Sequence, residues 1–145
     1  MKVIAAGTFD RLHEGHKHFL ISAFGLGHVY IGLTSDDMAK KKQYSESIQD
    51  FETRKNNLIN CLSEQGKKIN TDYQIIEIND RYGFAIESME ADVIVVTSDT
   101  IEGAKEINEI RAELGIYPLD IIEVDLILKD NKKISSSDLR KEEND

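Results

Sequence analysis

The chain has one cysteine, one proline and no tryptophan among its 145 residues. Cys61 therefore has no partner for an internal disulfide, and no cysteine-based metal centre can form. A lone cysteine within a helical pattern reads as a small core residue. The single proline, with no low-complexity segment or repeat, sets aside fibrous and linker-like architectures. No apolar run approaches the ~20 residues that a bilayer-spanning helix needs. The opening residues Lys2-Val3-Ile4-Ala5-Ala6 read as a strand and not as a signal-peptide core, so a cytoplasmic location is expected. Positive charge is also scarce: 18 Lys and Arg against 27 Asp and Glu give a formal net charge of −9. Such a chain is poorly matched to nucleic acid or an anionic membrane surface, and any phosphate it holds must be met by cations and amides gathered locally. Small phosphorylated metabolites stay open as partners.

What remains is an ordinary globular composition, 40% apolar and 31% charged. The length suits a single domain over residues 1–145, with the acidic stretch 141–145 expected to fray. Short β-branched runs recur at 3–6, 29–33, 73–78, 93–97 and 120–126. Between them, helical periodicity covers 16–24, 50–64 and 101–114, with Gly115 as a stop signal, a weaker pattern at 82–90 and a short one at 136–142. This alternation predicts an α/β fold: one Rossmann-like domain with a five-stranded parallel sheet and helices on both faces. Ligands in such folds bind beyond the carboxyl ends of the strands, where strand order reverses. The loops after the first, second, fourth and fifth strands are therefore expected to line the site.

The first of those loops is Gly7-Thr8-Phe9-Asp10-Arg11-Leu12-His13-Glu14-Gly15-His16. A glycine lets backbone approach a ligand, Thr8 adds a hydroxyl, and the helix beginning near Gly15 aims amides and a positive dipole end at the same place. His13 and His16, three apart, can converge on one anion and stabilise charge building on a transferring phosphoryl group. Two histidines at this spacing also suit zinc, although no third ligand stands in a convincing position. At the far end, Ile134-Ser135-Ser136-Ser137-Asp138-Leu139-Arg140 offers three hydroxyls at a short helix start, with an arginine able to close over an anion.

The segment GTFDRLHEGH resembles the GTFD-x-LHxGH signature of the HxGH nucleotidyltransferase superfamily, and ISSSDLR is similar to its ISST-x-I-R motif. Arg11 after GTFD, and Lys17 after the second histidine, resemble the archaeal and eukaryotic branch of the phosphopantetheine adenylyltransferases. So do IGLTSDD, VVTSDTIEGAKEINEIRAELG and YPLDIIEV, so the resemblance covers nearly the whole chain. Three positions depart from the branch pattern: Asp99 where Glu is common, Phe84 where Pro is usual, and Asp138 inside the serine motif, as a helix cap or as an aid to Mg²⁺.

The resemblance implies transfer of AMP from ATP to 4′-phosphopantetheine in coenzyme A biosynthesis, with release of pyrophosphate. Related members that transfer CMP to glycerol 3-phosphate or AMP to FMN are the alternative. It implies His16, Lys42 and Thr8 as the catalytic groups. For ATP it implies Gly7, Thr8, Phe9, His13, Gly15, His16, Arg111, Ser135, Ser136, Ser137 and Arg140. For the acceptor it implies Thr8, Asp10, Lys40 and Lys42. Mg²⁺ is expected to arrive with ATP, with no metal held by the protein itself.

Overall fold

Along the first strand Val3 and Ala5 point to one side and Ile4 to the other, and all three are buried. Burial on both faces marks a central strand of a parallel sheet. The computed structural model describes residues 1–39, 48–87, 90–98 and 100–124. Five parallel strands, β1 (Lys2–Gly7), β2 (His28–Thr34), β3 (Tyr73–Ile78), β4 (Val93–Val96) and β5 (Asp120–Glu123), lie in the order β3-β2-β1-β4-β5. Between them run α1 (Glu14–Phe24), α2 (Asp36–Ala39), α3 (Phe51–Glu64), α4 (Arg81–Glu87) and α5 (Ile101–Glu113).

Side-chain alternation divides the interior into two cores. Phe19, Leu20 and Ala23 of α1, with Leu58 and Leu62 of α3, pack on Val3, Ala5, Val29, Ile31 and Val95. On the opposite face, Phe84 of α4 with Ala104 and Ile107 of α5 pack on Ile4, Ile78, Ile94 and Val96. This is the expected α/β sheet with helices on both sides.

The ends of the elements have local causes. Asp50 caps α3 by accepting the Thr53 amide at 2.8 Å. Gly115, at φ 75°, stops α5 in the left-handed conformation that glycine adopts without penalty. β4 stops one residue short of the expected 97 because the Thr97 amide turns to the Thr100 hydroxyl at 3.0 Å. α1 begins two residues before the expected start because His13 caps it. The four-residue α2 is too short to leave a period in the sequence. The expected helix at 136–142 and the last residues of the 120–126 strand lie outside the described residues.

Candidate active site

β1 has β2 on one side and β4 on the other, so strand order reverses at the β1/β4 boundary. The loop leaving β1 at Gly7 opens onto that crevice, where ligands bind in this fold. Thr8, Phe9 and Asp10 in the loop are buried. Phe9 and Arg11 both hold φ at 49°, a conformation costing a non-glycine residue roughly 1–2 kcal/mol. Packing and hydrogen bonding oppose that strain. The Phe9 ring sits among the α1-side core, 5.7 Å from the His16 ring and 6.3 Å from that of Phe19. The Asp10 carboxylate accepts the Gln49 amide at 2.9 Å and the Arg11 guanidinium at 2.6 Å, joining the loop to the segment before α3. Gly7 owes its size to this packing, since a Cβ there would meet the Phe9 ring at 3.3 Å.

His13 and His16 form a reciprocal cap on α1. Nδ1 of His13 accepts the Gly15 amide at 3.0 Å, and Nδ1 of His16 accepts the His13 amide at 3.3 Å. The rings stack with centroids 4.0 Å apart and planes 24° from parallel. An imidazole nitrogen that accepts an N–H carries no proton, so this geometry fixes both rings as the tautomer with hydrogen on Nε2. Nε2 of His13 is buried and has no hydrogen-bond partner among the described residues. Burial also lowers the His13 pKa below its ordinary value, which keeps the ring neutral. The pair is thus two rigid imidazoles, each with its hydrogen on Nε2. The same use of both Nδ1 atoms withdraws them from metal binding, and among the described residues no three His, Cys, Asp or Glu side chains group as a metal site.

A residue missed in the sequence organises the neighbouring loops. Arg54 of α3 is fully buried. Its Nη1 donates to the Thr8 carbonyl at 3.1 Å, to the Thr34 carbonyl at 2.8 Å and to the Thr34 hydroxyl at 3.1 Å. Nη2 pairs with Asp36 at 3.2 Å, and Nε donates to the Gln49 carbonyl at 2.8 Å. One guanidinium thereby ties the end of β1, the end of β2, α2 and the approach to α3. A signal was present: position 54 stands three after Phe51 and four before Leu58, so a charge sits on the apolar stripe of an amphipathic helix.

On the α4/α5 side of the same crevice lies a cavity of about 280 Å³. Ala6, Met38, Ile78, Phe84 and Ile107 give it apolar walls, with Gly7, Thr34, Thr100 and Gly103 also in the lining. Gly32 on the floor of β2 makes room for Ile78 and Phe84, since a Cβ there would meet Ile78 at 2.5 Å and Phe84 at 3.0 Å.

The structure brings Gly7, Thr8, Phe9, Asp10, His13, Gly15 and His16 together in one loop and helix start. The side chains of Phe9 and Asp10 also help to hold that loop. Arg111 is not brought there. It lies in the last turn of α5, about 15 Å along the helix from Ile101, at the edge where strands begin. Buried, it donates from Nε to the Tyr117 carbonyl at 2.8 Å. Asn108, three residues before it, clamps both backbone groups of Leu119 at 2.7 and 3.0 Å. Both side chains serve the α5–β5 connection. Lys40, Lys42, Asp99, Ser135, Ser136, Ser137, Asp138 and Arg140 lie outside the described residues.

Comparison with known proteins agrees with this architecture. The model of the cytidylyltransferase-like family matches residues 4–142, and the chain belongs to that family. It is 47% identical to the phosphopantetheine adenylyltransferase of Pyrococcus horikoshii, an alignment covering 96% of this chain and 87% of the relative. It is 40% identical to the enzyme of the same name from Methanopyrus kandleri, over 97% of this chain and 89% of the relative. Among solved structures, a protein of unknown function from Archaeoglobus fulgidus superposes with a TM-score of 0.74 at 33% identity, covering 93% of this chain and all of that one. A bifunctional NMN adenylyltransferase/ADP ribose pyrophosphatase from Francisella tularensis shares the fold at TM-score 0.63 and 19% identity, with 97% of this chain aligned to 41% of that one.

Proposed function

We propose that this chain transfers the adenylyl group of ATP to 4′-phosphopantetheine, giving dephospho-CoA and pyrophosphate. The observation that carries the proposal is the stacked His13/His16 pair, its tautomers fixed by backbone amides, on the loop that leaves β1 at the strand-order reversal and whose Gly7 lines an apolar cavity.

An acceptor phosphate oxygen attacks the α-phosphorus, and the bond from that phosphorus to the oxygen bridging the β-phosphate breaks. The acceptor phosphate is largely dianionic at neutral pH, so no protein base has to remove a proton. Positioning and charge stabilisation then carry the catalysis. His16 donates from Nε2 to the α-phosphate as charge builds there, and His13 donates from its buried Nε2 to the neighbouring phosphates. Thr8 holds the acceptor phosphate, with Lys42 and Lys40 as its cations. Ser135, Ser136, Ser137 and Arg140 hold the β- and γ-phosphates. ATP arrives as its Mg²⁺ complex.

The cavity favours this acceptor over the alternatives. A long, uncharged arm leading from the phosphate fits walls made of Met38, Ile78, Phe84 and Ile107. Glycerol phosphate is too small and polar to use those walls, and an isoalloxazine is broad and rigid. Loss of one charge-stabilising donor typically costs 10²–10³ in turnover. The His16→Ala variant is expected to lose turnover on that order while remaining folded by circular dichroism. Turnover close to wild type would contradict the role given to His16.

A further inference from the structure

We propose that Thr34 and Arg54 are positioning residues that orient the Thr8 hydroxyl and leave its proton for a hydrogen bond to the acceptor phosphate. This rests on the reading of Thr8 given above. The inference comes from three side chains on three separate elements: Thr8 just beyond β1, Thr34 at the end of β2 and Arg54 in α3.

A threonine hydroxyl has one proton to give and can accept, whereas a guanidinium only donates. Nη1 of Arg54 donates to the Thr34 hydroxyl at 3.1 Å. The Thr34 hydroxyl in turn donates to the Thr8 hydroxyl at 3.2 Å. Because Arg54 cannot accept, the Thr34 proton has Thr8 as its partner, and the chain runs in one sense, from Arg54 to Thr34 to Thr8. Thr8 then receives a proton from behind and keeps its own for whatever lies in front. All three residues are buried, so water does not take over either link. Nη1 also grips the carbonyl oxygens of Thr8 and Thr34, which holds the two hydroxyls in register.

Thr34 lines the apolar cavity together with Gly7, the residue before Thr8, so the relay runs beside that cavity. A donor fixed there selects an unprotonated oxygen, as on an ionised phosphate monoester. Thr34 is therefore a specificity element that never touches the reacting atoms.

The test is steady-state kinetics of pyrophosphate release with ATP and 4′-phosphopantetheine for Thr34→Val, Thr34→Ser, Thr8→Val and the Thr8→Val/Thr34→Val pair. Loss of one oriented hydrogen bond to a charged group should raise the acceptor KM by about ten-fold in Thr34→Val. The KM for ATP should stay within about two-fold, and thermal unfolding should confirm that the variant is folded. Thr34→Ser keeps the hydroxyl and should restore the acceptor KM. In the Thr8→Val background, adding Thr34→Val should cost nothing more, because the two residues act as one unit. A purely structural role predicts instead equal changes in both KM values and an undiminished effect in that background, and either would overturn the proposal. So would an unchanged acceptor KM in Thr34→Val. A wild-type chain that turns over normally while Thr34→Val behaves as wild type removes this proposal alone. A wild-type chain that releases no pyrophosphate removes the functional reading, and this proposal with it.

Discussion

The backbone amide of His13 donates to Nδ1 of His16 at 3.3 Å, and the two imidazoles stack 4.0 Å apart. Helix capping and tautomer selection are thus one arrangement: the contacts that start α1 also decide which nitrogen of each ring carries the hydrogen. A serine or aspartate cap would begin the helix equally well, but would bring no ring N–H.

This coupling gives α1 a pH dependence. Burial lowers the pKa of His13 from its ordinary value of 6.5, so between that value and the lower folded one the unfolded chain binds a proton that the folded chain does not. Stability is then fully present above pH 6.5 and falls as the pH drops through this window. Protonation also puts hydrogen on Nδ1, which can no longer accept the Gly15 amide. The melting temperature of the wild type should fall between pH 7.5 and 5.5, and His13→Asn, which keeps a capping oxygen without a titrating ring, should fall less. Parallel pH profiles for the two proteins would contradict this assignment.

Gly103 tests the cavity. It lines the pocket, and a Cβ built there meets nothing within 4 Å. Gly103→Ala in the first turn of α5 should therefore stabilise the fold by up to about 0.5–1 kcal/mol, the cost of glycine in a helix interior. Gly103→Leu should project into the space assigned to the acceptor arm, raising the acceptor KM by about ten-fold or more and leaving the KM for ATP unchanged. Equal effects on the two substrates would move the arm to another surface.

Much of this was legible in the sequence, and the exceptions have physical causes. The strands were readable because both sheet faces are buried, so each strand is a short apolar run bounded by polar residues. The loop from Gly7 to His16 was readable because its chemistry is contiguous. Arg54 was not, because its partners Thr8, Thr34 and Asp36 come from other elements and only the folded topology assembles them. Arg111 and Asn108 share one side of α5, as their spacing implied. Spacing does not reveal which end of the sheet a helix position reaches, and theirs is the end opposite the crevice.

Tyr73 carries a different kind of information. It is fully buried, its ring meets Phe24 edge-on at 6.0 Å, and its hydroxyl has no hydrogen-bond partner among the described residues. An unsatisfied buried hydroxyl costs about 1–3 kcal/mol of desolvation. Tyr73→Phe keeps the ring and removes the cost, so it should raise stability by about 1 kcal/mol in chemical denaturation, with activity unchanged. A loss of stability would mean that the hydroxyl is satisfied in solution.

The central claim is adenylyl transfer to a phosphorylated acceptor with a long uncharged arm. Its most direct test is pyrophosphate release by the purified protein with Mg²⁺, offering ATP or CTP with 4′-phosphopantetheine, glycerol 3-phosphate or FMN in turn. Release with ATP and 4′-phosphopantetheine, and with no other pair at a comparable rate, is the predicted result. Preferred release with CTP, or with either of the other acceptors, would contradict it.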